Sequence, residues 1–146
     1  MRAVKRTKSK GPAGNGRKTP VKVTGTIVTG LGVSASFLAI PWVADQLSKS
    51  LSFAPYCGTL NIELQDPEVQ KALKSRSGKK VLPAEKGFCE ALLFEGTVAG
   101  RFPCGIILPL VVNYPENVLE IIAPVHLKQA LGISDGDRIE VELEVS

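Results

Sequence analysis

The eight residues ahead of the terminal serine, Arg138 to Val145, alternate without a break: Ile139, Val141, Leu143 and Val145 on one side, Glu140, Glu142 and Glu144 on the other. Successive side chains of a strand point to opposite faces, so a period of two specifies one buried face and one wet, acidic face. Such a strand belongs to a sheet that covers a core on one side only, which is the habit of antiparallel sheets. Asp135-Gly136-Asp137 supplies the turn before it.

The preceding chain fits the same architecture. Val21, Val23, Ile27 and Val28 make a first strand that runs into Gly30-Leu31-Gly32. Residues 91–98 and 101–108 read as a hairpin about Ala99-Gly100, and residues 118–122 as a short, nearly continuous apolar strand. Pro109 ends or bulges its strand, because it has no N–H for the ladder. Helices are few: Val43, Leu47 and Leu51 fall at i, i+4, i+8 and predict one over 42–51. Asp66-Pro67 opens a second near 67–74, and residues 125–131, between Pro124 and Gly132, form a third. The expectation is a mainly β domain, a small and mostly antiparallel barrel whose closure hides its strand edges.

With 146 residues the chain has one domain's length, enough for a core without disulfide or metal staples. No run approaches the roughly 18 apolar residues of a membrane span, and the N-terminus lacks a signal peptide's apolar middle, so a soluble, cytoplasmic monomer is expected. The net charge of +4 is unevenly placed. Residues 1–20 hold seven of the 18 Lys and Arg and no acid, which leaves 11 bases against 14 acids in the domain proper, residues 21–146. The basic segment is expected to be a disordered tail, either a solubilising extension or an arm for polyphosphate or RNA, and the acidic body argues against specific nucleic-acid binding. Cys57, Cys89 and Cys104 are odd in number and widely spaced, which speaks for thiols in a reducing compartment rather than zinc or disulfides. His126, the single histidine, has no partner in the sequence, so a structural role is expected over general-base catalysis.

Four segments carry more than composition. Residues 25–37, GTIVTGLGVSASF, break a strand at a Gly-x-Gly turn, which is either a plain hairpin turn or a set of exposed N–H groups able to cradle phosphate. In FAPYCGTLNIEL, residues 53–64, Thr59 and Asn61 share one face of a strand while Leu60 and Ile62 bury on the other. They are either wet strand residues or two neutral oxygen ligands suited to magnesium, which takes its remaining ligands from water and phosphate. In NVLEIIAP, residues 117–124, Glu120 interrupts an apolar strand and needs a hydrogen-bond partner there; it could equally bind a substrate hydroxyl or accept its proton. Lys128, in the helix that follows, either meets a nucleotide phosphate or is an ordinary solvated lysine.

In this order the segments resemble the archaeal CTP-dependent riboflavin kinase family, whose pattern runs G-L-G-E-G, P-Y-x-G-T-L-N, L-E-[IV]-I-A-P and a closing D-G-D before the last strand. Here these are Gly30-Leu31-Gly32, Pro55 to Asn61, Leu119 to Pro124 and Asp135-Gly136-Asp137, spread over residues 22–145. The resemblance implies a six-stranded cradle-loop (RIFT-like) barrel that moves the γ-phosphoryl group of CTP to the 5′-hydroxyl of riboflavin, giving FMN and CDP. It implies Thr59 and Asn61 as Mg2+ ligands. Gly30, Leu31, Gly32, Val33, Ser34 and Ala35, with Val125, His126, Leu127 and Lys128, would hold the nucleotide, and Glu120 would contact the flavin substrate. Phosphoryl transfer is largely alignment and charge neutralisation, so a site poor in His and Asp is compatible with it.

Three positions depart from the pattern. Val33-Ser34-Ala35 replace a Glu-Gly that brings a charge and a glycine; Val112 stands where a threonine meets the flavin; Lys128 stands where arginine is frequent, losing a bidentate fork. The first two keep open a flavin- or nucleotide-binding relative without turnover. The DGDRIEVEL ending and the basic tail keep open a barrel-type DNA-binding regulator.

Overall fold

In the computed structural model, which describes residues 19–30, 38–56, 58–75, 79–81, 90–111 and 114–145, the alternating segment is the strand that closes a barrel. The strands are β1 (Thr19–Val28), β2 (Leu60–Glu63), β3 (Lys79–Val81), β4 (Ala91–Val98), β5 (Phe102–Pro109), β6 (Val118–Ile122) and β7 (Arg138–Val145). The helices among the described residues are α1 (Pro41–Leu51), α2 (Glu68–Lys74) and α3 (Leu127–Leu131). Antiparallel pairing runs β4, β5, β6, β2, β1, β7 and back to β4, a closed circuit of six strands. The six-stranded barrel expected from the family pattern is therefore present.

β3 is an addition to it. It pairs with the first residues of β4, Val81 opposite Ala91, and β7 takes over the same edge from Glu95 to Val98. Three residues are too few to show a period, so nothing in the sequence announced this strand. β4 and β7 come so close where they meet that a β-carbon on Gly96 would overlap the carbonyl oxygen of Glu142. Thr19 and Pro20, grouped with the basic segment on composition, are the first residues of β1. Among the described residues β1 pairs there with β7 alone, so the missing N–H of Pro20 costs no second ladder. Residues 1–18 of the basic segment lie outside the described residues.

Two apolar layers explain why the middle strands read as continuous runs. Leu92, Phe94, Ile106, Leu108, Leu119 and Ile121 point into the barrel with Leu60, Ile62 and the alternating residues of β7. Their neighbours Ala91, Leu93, Ile107 and Ile122 point outward and are covered by Val43, Leu47 and Leu51 of α1 together with Leu38. Both faces of β4, β5 and β6 are thus dry, and each fully buried Leu or Ile contributes about 1.5–3 kcal/mol of transfer free energy.

The other helices close down the loops. α2 starts at Glu68, with Pro67 rather than Asp66 at the N-cap position, and Asp66 Oδ1 still accepts the N–H of Glu68 at 3.0 Å. α3 starts two residues later than expected, because His126 is extended and caps it, Nδ1 accepting the N–H of Gln129 at 3.2 Å. That is the structural role anticipated for this histidine. No helix among the described residues is long and apolar enough to cross a membrane.

Candidate functional site

β2 and β6 lie side by side with Asn61 opposite Glu120. Since Leu60, Ile62, Leu119 and Ile121 fill the interior, period two sends Asn61 and Glu120 to the outer face. Thr59 sits one residue ahead of β2, and its hydroxyl lies 2.9 Å from Asn61 Oδ1 and 3.3 Å from Glu120 Oε1. Three of the expected site residues therefore meet in one cluster.

Glu120 is only 6% exposed, with Ile107 paired across from it on β5 and Ile122 two residues along the same face. A carboxylate so placed needs hydrogen bonds to offset its lost hydration. Tyr114, from the β5 to β6 connection, donates its hydroxyl to Glu120 Oε2 at 2.5 Å, while Oε1 faces Thr59. Burial, then the hydrogen bond to Glu120 and its negative charge, push the Tyr114 phenol well above the usual range.

Gly30 is built against this cluster. β1 pairs Val28 with Asn61, and two residues later a β-carbon on Gly30 would stand 2.5 Å from Asn61 Nδ2 and 3.0 Å from its Cγ. The glycine turn thus begins in contact with the Asn61 amide. The rest of that turn, Leu31, Gly32, Val33, Ser34 and Ala35, lies outside the described residues, as does Val112.

On the other side of Thr59 opens a cleft of about 250 Å³. Tyr56, Gly58 and Thr59 form one wall, and Ala123 with Val125, His126, Leu127 and Lys128 form the other. The Tyr56 N–H donates to the Ala123 carbonyl at 2.8 Å, joining the walls, and the exposed ring meets His126 edge-on at 5.2 Å. Lys128 Nζ is 2.7 Å from Asp135 Oδ1, and the Thr29 hydroxyl donates to Asp135 Oδ2. These two bonds, the Lys128 one first, hold the Asp135 carboxyl below its ordinary range. One carboxylate thereby ties Thr29, just ahead of the glycine turn, to Lys128 of α3.

The residues suit a hard cation. Thr59 Oγ1, Asn61 Oδ1 and Glu120 Oε1 form a small set of oxygens within 3.3 Å of the Thr59 hydroxyl. Among the described residues no group of three His, Cys, Asp or Glu gathers that could hold a metal. Thr59 Oγ1 and Asn61 Oδ1 are neutral oxygens, a donor type that magnesium takes together with water and phosphate.

Tyr114, Tyr56 and Asp135 were not among the expected site residues. Asp135 was visible as a turn residue and in the D-G-D of the family pattern, without a site role, and Tyr114 lies in a stretch with no periodicity to mark it.

Comparison with known proteins agrees with the motif pattern. The model for the CTP-dependent riboflavin kinase domain, described as a domain of unknown function (DUF120), matches residues 27–143. A riboflavin kinase of Saccharolobus solfataricus is 31% identical over 131 residues, covering 86% of this chain and 75% of the relative. One from Methanothermobacter thermautotrophicus is 33% identical over 118 residues, covering 81% of this chain and 95% of the relative. One from Pyrobaculum islandicum is 33% identical over 131 residues, and there the match spans 60% of a longer relative.

Proposed function

The chain belongs to the archaeal CTP-dependent riboflavin kinase family, and we propose that it phosphorylates riboflavin at the 5′-hydroxyl with CTP, giving FMN and CDP. The observation that carries this reading is the convergence of Thr59, Asn61 and Glu120 beside the cleft lined by Val125, His126, Leu127 and Lys128.

Thr59 and Asn61 would hold the Mg2+, which when bound neutralises phosphate charge and aligns the chain of phosphates. Their own part is placement: β2 fixes Asn61, Gly30 packs on its amide, and Thr59 stands at the join of cleft and cluster. The cleft takes the nucleotide, its length bounded by the segment 125–128. Lys128, kept in place by Asp135, adds positive charge beside the glycine turn. Glu120 binds the substrate hydroxyl through Oε1. As the hydroxyl oxygen bonds to the γ-phosphorus, its proton passes to the carboxylate and the bond from the γ-phosphorus to the bridging oxygen breaks, releasing the nucleoside diphosphate.

Purified protein with riboflavin, magnesium and CTP is expected to yield FMN, with Asn61→Ala folded and inactive. An Asn61→Ala protein of unchanged rate would remove the metal role. Tight FMN binding without any turnover would overturn the kinase reading in favour of a binding relative. The regulator reading finds no support in the domain, where the outer face of β7 carries exposed Glu140, Glu142 and Glu144.

A further inference from the structure

Glu120 has two oxygens in different surroundings, and the difference is imposed from one side. Oε1 faces Thr59 at 3.3 Å; Oε2 receives the Tyr114 hydroxyl at 2.5 Å. A glutamate side chain turns easily about its last bond, and a hydrogen bond to Oε2 restrains that turning.

The phenol can do this because it is itself fixed. Its ring packs against the barrel core. The chain that follows it is held by Gln70 of α2, a polar side chain only 1% exposed, whose amide donates to the carbonyls of Pro115 at 2.8 Å and Val118 at 2.6 Å. Leu64 N–H, just beyond β2, donates to the Asn117 carbonyl at 2.6 Å. The connection bearing Tyr114 is thus bound to α2 and to the chain leaving β2. The phenol also keeps its proton at any working pH, since burial and the neighbouring carboxylate oppose its ionisation.

We propose that Tyr114 is a positioning residue: by occupying Oε2 it fixes the plane of the Glu120 carboxylate and presents Oε1 toward Thr59 and the substrate hydroxyl. The assignment rests on the reading of Glu120 as the substrate contact. Tyr114 touches no reacting atom and acts through Glu120.

The test is a double-mutant cycle of Tyr114→Phe and Glu120→Gln, read in kcat, in KM for the nucleotide, in riboflavin affinity by flavin fluorescence, and in Tm. Phenylalanine keeps the ring packing and deletes the donor. Tyr114→Phe is expected to lower kcat about tenfold and weaken riboflavin binding, with the nucleotide KM within twofold and Tm within a few degrees of the parent. In the Glu120→Gln background the same change should have little further effect, since the carboxylate it orients is gone. An unchanged kcat with a lowered Tm would show a merely structural tyrosine and overturn the proposal; so would equal losses in both backgrounds. If the parent neither binds nor phosphorylates riboflavin, the kinase reading falls and takes this assignment with it. A parent that turns over while the cycle shows no coupling refutes the assignment alone.

Discussion

Gly30→Ala is a steric probe of Asn61. Gly30 does not have the positive φ that bars a β-carbon, so the steric contact with Asn61 is what alanine meets there. Its β-carbon would stand 2.5 Å from Asn61 Nδ2, and ordinary contact begins near 3.4 Å. The amide must therefore retreat by about 1 Å, a distance over which dispersion contacts are lost and repulsion relieved. Asn61 is only half-buried, so it has room to do so. A rotamer pushed off its minimum costs roughly 0.5–1.5 kcal/mol, and replacing glycine returns about 0.4–1 kcal/mol through the unfolded state. Stability should thus change by less than about 1 kcal/mol. Activity should change far more, because a displacement of 1 Å at a positioned group costs on the order of 100-fold in rate. The assay is kcat for FMN formation against magnesium concentration, with a circular-dichroism melt on the same sample. The expected result is a rate about 100-fold down, a raised magnesium requirement and a nearly unchanged melt. A mutant of parental rate and magnesium dependence would refute the placement of Asn61 at the metal.

Three further outcomes follow from the packing and charges. Ala99 adopts φ 53° in the turn between β4 and β5, a left-handed conformation costing a residue with a β-carbon about 1–2 kcal/mol; Ala99→Gly should raise the urea midpoint, less whatever glycine gains in the unfolded state. Gln70→Leu deletes the donor to the part-buried Pro115 and Val118 carbonyls and should cost roughly 1–3 kcal/mol of unfolding free energy with an unchanged m-value. The folded-state value of Asp135 lies below the unfolded one, so its contribution is complete above the unfolded value and is lost as pH falls through the folded one. Lys128→Met should move the Asp135 titration upward toward its ordinary value in a carboxylate NMR experiment, and an unmoved titration would deny the ion pair.

Legibility in the sequence followed periodicity. β7 was readable residue by residue because one face is wet, and the stripe Val43, Leu47, Leu51 gave α1 for the same reason. β6 was readable as a strand but not by face, since α1 covers its outer side and the interior takes the other. That Glu120 would need partners was foreseeable from a charge within an apolar run; that Tyr114 and Thr59 would be the partners was not, because loop contacts leave no period. Gln70 did carry a signal, standing three residues before Leu73 on the buried face of α2, where a polar side chain implies hydrogen bonds to hidden carbonyls. The closeness of Thr59 and Asn61 followed from strand geometry, whereas the link from Lys128 through Asp135 to Thr29 depends on how two loops pack and is written in neither.

The central claim is a kinase that draws its phosphoryl group from CTP. Its most direct test is incubation of the purified chain with riboflavin and magnesium and, in separate reactions, CTP, ATP, GTP and UTP, with FMN and nucleoside diphosphate quantified by chromatography. The account predicts FMN and CDP in equal amounts with CTP and much slower formation with the other three. No FMN with any of the four would contradict it.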